Sequence, residues 1–213
     1  MSRLSTSGLS SGQALITGEV EHRDGRLKVI IGLQAIADEG AGGPQVHKQI
    51  RVNGVPTPVT GLVGRINAVL FTAGDIDLVL GSPSGRRRFL DILISQADRW
   101  YLRALQRYQR VVTQRNHLLK LVRHRSATAD ELPFWDEELV SEGAYIMDRR
   151  AETLEDLDVI AGPLHSELSG ADERLRLIYR PSVEGPAEGL LELLEGLAEA
   201  GLVVRGLDEP IDG

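Results

Sequence analysis

The chain has 213 residues, of which 42% are hydrophobic and 26% are charged, as in soluble globular proteins that bury a core. It has no cysteine, which excludes disulfide bonds and thiolate metal sites. The Ser- and Gly-rich stretch Met1–Gly12 lacks the apolar centre of a signal peptide, and no apolar run approaches the roughly 20 residues that cross a bilayer. These features predict a cytoplasmic protein without a membrane partner.

The net charge of −7 is unevenly distributed. Residues 1–85 are neutral, residues 86–125 have a net charge of +9, and residues 126–213 have a net charge of −16. The basic block is a possible anion-binding surface that the acidic pI of 5.3 conceals.

Residues 1–81 are predicted to form an antiparallel β subdomain. Its strands are short runs of apolar and β-branched residues: Ala14–Glu21, Leu27–Leu33 and Val46–Val52. Asp24-Gly25 and Asn53-Gly54 are two-residue hairpin signals. Pro56 and Pro58 limit the next strand to a short edge strand, and Ala68–Phe71 is the last apolar run of the segment.

Residues 82–170 are predicted to form a helical arm domain. Ser82 can cap a helix with its side chain and Pro83 can be the first helical residue. Asp98 is a candidate N-cap for a helix that runs to about Arg125. After the short loop Ser126–Asp130, a second long helix should kink or end at Gly162-Pro163. Two long helices joined by a short loop pack antiparallel, so the fold class is α+β with a long helical hairpin.

Apolar residues on the two long helices predict the seam between them. The first stripe is Tyr101, Leu105, Tyr108, Val112, Arg115, Leu119 and Val122, and the second includes Trp135, Leu139, Ile146, Leu157 and Leu164. The alternating steps of four and three are typical of a coiled coil. Arg115 lies on this stripe, so it should be buried beside a carboxylate or carbonyl and fix the register of the helices.

Residues 171–213 are predicted to return partially to the first subdomain. Arg174–Pro181 alternates like a strand, and Pro186–Ala200 is rich in Leu and Glu and predicts a helix.

The sequence predicts no catalytic, cofactor-binding or metal-binding residues. It has no GxxxxGK[ST] phosphate loop and no apolar run ending in Asp-Glu that could hold Mg²⁺. Leu9-Ser10-Ser11-Gly12-Gln13 matches an ATPase signature, but that signature must open a helix, and the residues after it predict a strand. The five histidines are scattered.

Arg86, Arg87 and Arg88 form the densest basic cluster of the chain. Such a cluster, with the arginines of the following helix, could neutralise DNA phosphates. Alternatively, these arginines could pair with the acidic residues of the second long helix, and electrostatics alone favours that interpretation.

Several motifs resemble the RecF family over about 110 residues. They comprise Gly81, Pro83, Arg86-Arg87-Arg88-Phe89-Leu90-Asp91, Tyr101-Leu102, Tyr108, Gln114-Arg115-Asn116, Leu118-Leu119-Lys120, Pro133-Phe134-Trp135-Asp136 and Leu177-Ile178-Tyr179-Arg180-Pro181. Ala73-Gly74 depart from the Pro-Glu of the family pattern.

The resemblance implies an SMC- and ABC-like ATPase head with an inserted helical domain. It implies a role in DNA replication, recombinational repair and the SOS response, with DNA, ATP and Mg²⁺ as ligands and RecO and RecR as partners. The family's Walker A, signature and Walker B motifs are absent, so the chain is expected to be an internal fragment that does not bind ATP alone.

Three functions remain open from the sequence: a RecF-like fragment that contacts DNA, an ATPase subunit completed by another chain, and a helical-hairpin interaction module without a nucleic-acid role. For the first, the sequence predicts DNA contact at Arg86, Arg87 and Arg88 rather than along the long helix. Enzymatic activity and oligomeric state are left open.

Overall fold

The computed structural model describes residues 3–9, 13–22, 25–36, 45–170, 173–181, 191 and 194. The chain divides into two compact units, Met1–Val69 and Leu70–Gly213. The first unit is a β-sheet and the second is helical, which confirms the predicted α+β class. The division into three parts at residues 81/82 and 170/171 stays a prediction.

The first unit is a five-stranded antiparallel sheet in which neighbours in sequence are neighbours in space. The strands are β1 (Arg3–Leu9), β2 (Gln13–His22), β3 (Gly25–Ile36), β4 (Gln45–Val52) and β5 (Val55–Pro56). β2 and β3 pair from His22 opposite Gly25, at the first predicted hairpin. Two-residue β5 ends at Pro56, as expected for an edge strand that contains proline.

The turn between β4 and β5 is formed by Asn53 and Gly54, which have φ angles of 49° and 84°. Positive φ at both central residues is what a type I′ turn requires, and Asn-Gly tolerates it best. The Asn53 side chain also accepts a hydrogen bond of 2.8 Å from the Lys28 N–H on β3. The second predicted hairpin is therefore confirmed.

The described side chains of the sheet unit include one buried cluster. It consists of Val29, Ile50 and Val52, and Val29 lies directly opposite Val52 in the register of β3 and β4. Leu62 and Ile66, which follow a single 3₁₀ turn at Val59–Gly61, pack against them.

Four α-helices of the second unit have described bounds. They are α1 (Asp77–Leu80), α2 (Pro83–Ala97), α3 (Arg99–Arg123) and α4 (Leu132–Leu168). Pro83 is the first residue of α2, as predicted. The hydroxyls of Ser82 and Ser84 are hydrogen-bonded to each other at 2.7 Å, and the Ser82 side chain caps no helix N–H. That part of the prediction is wrong, because the two hydroxyls satisfy each other.

Helices α3 and α4 form the predicted antiparallel hairpin. Ion pairs join Arg107 to Glu138 and Arg115 to Asp136, so residue numbers on α4 fall as those on α3 rise. The buried core includes Tyr101, Ala104, Tyr108, Val111, Val112, Leu139, Val140 and Ile146. Gly143 allows a close approach, since a Cβ atom there would lie 3.2 Å from the Tyr108 ring.

Side-chain and backbone caps define both ends of α3. The Asp98 carboxylate accepts hydrogen bonds from the N–H groups of Trp100 and Tyr101, at 2.8 and 3.3 Å, as an N-cap does. At the other end, Arg125 has a φ of 57°. The Ser126 N–H donates a hydrogen bond of 2.9 Å to the Leu121 carbonyl, which closes a six-residue turn. This is a Schellman motif with arginine where glycine is usual.

Helix α4 does not end at Gly162-Pro163, so of the two predicted outcomes, a kink or an end, the end is wrong. The helix continues through Pro163 to Leu168. Pro163 is exposed, and so is Val159, whose carbonyl loses its usual helical donor. The helix ends instead at Ser169, before Gly170 with a φ of 75°.

The predicted strand Arg174–Pro181 is also wrong. Residues 173–181 form neither strand nor helix, although half-buried and exposed residues alternate along them. Asp158 on α4 accepts a hydrogen bond of 2.6 Å from the Leu177 N–H and pairs with Arg176 at 3.1 Å. The alternation therefore reflects one face packing along a helix, with a carboxylate in place of a neighbouring strand.

The apolar run Ala68–Phe71 forms no strand. Val69 in the first unit and Phe71 in the second are 98% and 90% exposed. Most of the predicted helix Pro186–Ala200 lies outside the described residues; Leu191 and Leu194 of that segment are helical.

Candidate nucleic-acid interface

The three clustered arginines at the start of α2 have three different surroundings. Arg86 donates from Nη1 to the Gly81 carbonyl at 2.8 Å, and Leu78 O lies 3.4 Å from the same nitrogen. It therefore satisfies carbonyl groups at the end of α1. Arg87 is half-buried, and its Nε is buried without a hydrogen-bond partner in the described part of the chain.

Arg88 is exposed and has neither a hydrogen bond nor an ion pair with any described residue. Of the three arginines, it is therefore the side chain with the best access to an anion in solvent.

Asp91, which closes the same motif, is buried in an ion pair with Arg150 of α4. Arg150 donates from Nε to Asp91 Oδ1 at 2.9 Å and from Nη2 to Oδ2 at 2.8 Å, a bidentate geometry. The Tyr101 hydroxyl donates to the same carboxylate and lies 3.0 Å from Arg150 Nε. We call the four residues Asp91, Tyr101, Arg150 and Tyr179 the base network.

Charge in the base network is balanced. Burial raises the pKa of Tyr101 well above its usual range, although the Arg150 charge opposes the shift. Burial also raises the pKa of Tyr179, again opposed by Arg150, to which it is hydrogen-bonded. For Arg150, burial opposes the charged form, but Asp91 and Tyr101 outweigh it and raise the pKa. Both phenols stay neutral near pH 7, so the network contains one cation and one anion.

A second buried ion pair lies further along the hairpin. Arg115 and Asp136 are almost completely buried and are joined by a hydrogen bond from Arg115 Nε. Arg115 Nη2 also donates to the Leu194 carbonyl at 3.0 Å, while Nη1 has no partner among the described residues. Of the other predicted seam residues, Val112, Leu119 and Leu139 are buried, and Leu105 and Trp135 are partly buried.

Asp98 connects the start of α3 to α4 in addition to capping it. Its carboxylate accepts a hydrogen bond of 3.0 Å from the Tyr145 hydroxyl and lies 3.3 Å from Arg149 Nε. Burial acts to raise the pKa of Asp98, but the hydrogen bonds from Trp100, Tyr145 and Tyr101 and the Arg149 charge together lower it.

Most basic side chains of α3 are not neutralised by α4. The helix has seven Lys and Arg residues and no Asp or Glu. Arg107 pairs with Glu138 and Glu142, and Arg115 pairs with Asp136. The remaining five basic residues of α3 have no carboxylate partner in the described ranges, so the expected internal pairing holds only in part.

Trp100 stands on this basic surface. Its side chain is 57% exposed, and the guanidinium carbons of Arg99 and Arg103 lie 5.3 and 4.8 Å from the ring centroid. Both distances are in the range of cation–π contacts.

Sequence reasoning missed Arg150, Tyr179 and Trp100. Arg150 was detectable, because it lies four residues after Ile146 on the apolar stripe of α4, just as Arg115 lies on the stripe of α3. Nothing in the sequence signals the exposure of Trp100, which depends on where α2 and α3 meet.

Within the described ranges, no three His, Asp or Glu side chains converge as a metal site would require. None of the helices in that part of the chain is both long and apolar enough to span a membrane. Gln13 begins a strand, so the sequence that matches the ATPase signature does not open a helix there.

The fold and its basic surface define an α+β protein with a meander sheet and a helical hairpin whose first long helix is cationic. No family model matches the chain. Two curated proteins named DNA replication and repair protein RecF are similar. That of Roseiflexus castenholzii is 40% identical over 178 residues, covering 81% of this chain and 45% of the relative. That of Herpetosiphon aurantiacus is 43% identical over 143 residues, covering 66% and 37%.

A solved structure of the recombination mediator RecF with ATP superposes with a TM-score of 0.75 at 27% identity. It covers 94% of this chain and 55% of the solved chain. The resemblance to RecF is thus confirmed, and the chain is a RecF-like sequence that spans about half the length of the curated relatives it matches.

Proposed function

We propose that this chain acts in DNA replication and repair as the corresponding part of a RecF protein does, and that it contacts DNA. The observation that supports this most is the similarity to curated RecF proteins over up to 91% of the chain. The proposal includes recombinational repair and the SOS response as processes, RecO and RecR as partners, and the cytoplasm as location. A solved relative is described as a mediator in the RecFOR pathway.

Within the predicted DNA-binding cluster, we assign the main phosphate contact to Arg88. Arg86 and Arg87 are less accessible to phosphate, since the first satisfies carbonyl groups and the second is half-buried. An exposed guanidinium that lacks a carboxylate partner keeps its full attraction for phosphate. Asp91, the acidic residue nearest in sequence, is occupied by Arg150 and does not neutralise Arg88.

Comparison of Arg88→Gln with Arg86→Gln tests this assignment. For Arg88→Gln we expect weaker duplex binding at low salt and a log–log salt slope that is less steep by about 1, with unchanged thermal stability. For Arg86→Gln we expect lower stability, because carbonyl groups near the end of α1 lose their donor. Equal duplex affinity for Arg88→Gln and the unmodified chain would contradict the assignment.

We further propose that this chain alone neither binds nor hydrolyses ATP, since its 213 residues contain no GxxxxGK[ST] loop. Equilibrium binding of a fluorescent ATP analogue with Mg²⁺ tests the proposal, and saturable micromolar binding would contradict it.

A protein-interaction module without a DNA role is the alternative function; exposed Ile76, Val79 and Leu80 favour it. Absence of any DNA binding would leave that alternative.

A further inference from the structure

We propose that Trp100, with Arg99 and Arg103, is a stacking site for the unpaired bases of single-stranded DNA. The inference rests on the proposed function only in taking DNA as the partner; the residues and the form of DNA are different from those assigned to Arg88.

The geometry suits a flat, electron-rich ligand next to an anionic backbone. More than half of the Trp100 side chain is exposed, which is unusual for the largest apolar side chain. Two guanidinium groups are held against its ring at 5.3 and 4.8 Å. Guanidinium groups beside an aromatic ring direct their N–H donors past its edge, where they can bond to phosphate while a base stacks on the exposed aromatic surface.

The nearest carboxylate does not cancel this positive charge. Asp98 is occupied by the N–H groups of Trp100 and Tyr101, the Tyr145 hydroxyl and Arg149. The two arginines have no carboxylate partner in the described part of the chain. A nucleic-acid backbone can therefore provide the missing counter-charge.

The surface continues along α3 as a row of polar donors. A groove of about 540 Å³ is lined by Gln106, Gln109, Arg110, Thr113 and Gln114. Arg103, Gln106, Arg110 and Thr113 follow steps of three and four residues and so lie on one side of the helix. From Trp100 to Gln114 the axis rises by roughly 21 Å at 1.5 Å per residue, which provides room for several nucleotides.

Single-stranded DNA fits this surface better than a duplex does. In a duplex both faces of each base are covered by neighbouring base pairs, so an indole ring gains nothing from them. Every unpaired base exposes a π-face, so binding by stacking tolerates any sequence. An acidic peptide could satisfy the arginines, but it would not use the indole ring.

The fluorescence of Trp100 gives a direct test. The chain has two tryptophans, so Trp135→Phe leaves Trp100 as the only indole fluorophore. Titration with oligothymidylate of roughly 16 nucleotides, the upper end of known site sizes, should quench that emission saturably. Absence of quenching while labelled oligothymidylate still binds would overturn the proposal, since binding would then occur elsewhere.

Affinity measured by anisotropy of labelled oligothymidylate in the otherwise unmodified chain provides a second test. Trp100→Leu should bind at least about five-fold more weakly, because stacking contributes about 1–3 kcal/mol per base. Phe134→Leu removes another half-exposed aromatic from the hairpin surface and should change nothing. Likewise, Arg103→Gln should weaken binding more than Arg123→Gln, which removes the same charge away from the indole.

Failure of this inference is distinguishable from failure of the proposed function. If Arg88→Gln weakens duplex binding while Trp100→Leu leaves oligothymidylate affinity unchanged, only the stacking site is wrong. If the chain binds neither duplex nor oligothymidylate, both proposals fail. Supporting the inference requires that Trp100→Leu weakens single-strand binding and leaves duplex affinity intact.

Discussion

The two buried ion pairs of the hairpin differ in how completely they are satisfied. In the base network, Arg150 bonds to both oxygens of Asp91 and also contacts Tyr101, so α2, α3 and α4 are tied together. Arg115 lies about 21 Å beyond Tyr101 along α3, and it bonds to Asp136 and to the Leu194 carbonyl. Both arginines lie on an apolar stripe, yet one organises three helices and the other joins two helices and the Leu194 segment.

The comparison teaches that the burial of an arginine does not by itself determine how much the arginine stabilises the fold. A buried ion pair is expensive to desolvate, and it stabilises the fold only when its remaining donors and acceptors are satisfied. The base network meets this condition in full. The Arg115 pair leaves one nitrogen without a partner among the described residues and therefore contributes chiefly to the register of α3 and α4.

The largest expected effect is that of Asp91→Ala. The change leaves a buried Arg150 unpaired and removes the acceptor of the Tyr101 hydroxyl, so the free energy of unfolding should fall by about 3–5 kcal/mol. Urea unfolding followed by tryptophan emission measures this loss. The double variant Asp91→Leu with Arg150→Met should lose less than Asp91→Ala, and an equal or greater loss would show that the pair's charge is not the cause.

Asp136→Ala should destabilise the hairpin less than Asp91→Ala. Arg115 keeps its hydrogen bond to the Leu194 carbonyl, and no phenol is left without an acceptor, so a loss near the lower limit, about 3 kcal/mol, is expected. The same unfolding measurement applies. A loss larger than that of Asp91→Ala would show that the Arg115 ion pair stabilises the fold more than the base network does, contrary to this expectation.

The start of α3 should be sensitive to acid. The pKa of Asp98 is lower in the folded than in the unfolded state. The stability that its charged form contributes is therefore present above the unfolded pKa of about 3.9, and it is lost as pH falls through the folded pKa. Asp98→Asn keeps a capping oxygen but removes the charge that faces Arg149 and the start of α3, so it should cost up to about 1 kcal/mol at pH 7 and less near pH 2. Unfolding curves at both pH values check this, with Asp130→Asn as a control on the α3–α4 loop. A pH-independent cost would contradict the assignment.

Arg125→Gly should stabilise the far end of the hairpin by about 1 kcal/mol. Residue 125 has left-handed backbone geometry, which glycine adopts without the penalty that a Cβ atom brings. Arg123→Gly, two residues earlier in right-handed helix, should destabilise by a similar amount. Thermal unfolding of both variants measures the pair of effects, and a shift of the same sign in both would refute the explanation.

Local patterns in the sequence predicted much of this fold. Asn53-Gly54 fixes a turn through its own backbone preferences, and Asp98 begins α3 by capping adjacent N–H groups. Arg115 was predicted to be buried from its place on an apolar stripe. In each case the cause lies within a few residues or in a regular spacing.

Long-range packing decided what the sequence did not predict. Residues 173–181 alternate as a strand does, but the chain places them beside Asp158 of α4. Helix α4 continues through the exposed Pro163 to Leu168, which the sequence alone did not predict. The sequence does not distinguish the three neighbouring arginines. In the folded chain, Arg86 bonds to a carbonyl, Arg87 is half-buried and Arg88 is exposed without a partner among the described residues.

The base network also constrains how this protein can diverge. Its members at positions 91, 101, 150 and 179 come from four separate parts of the sequence, and loss of any single one leaves a buried charge or hydroxyl without its partner. Substitutions there are tolerated best when they arrive together, with charge and volume exchanged as a set. Across relatives, Asp91 and Arg150 should therefore be replaced in concert, whereas Arg88 is free to vary with the ligand alone.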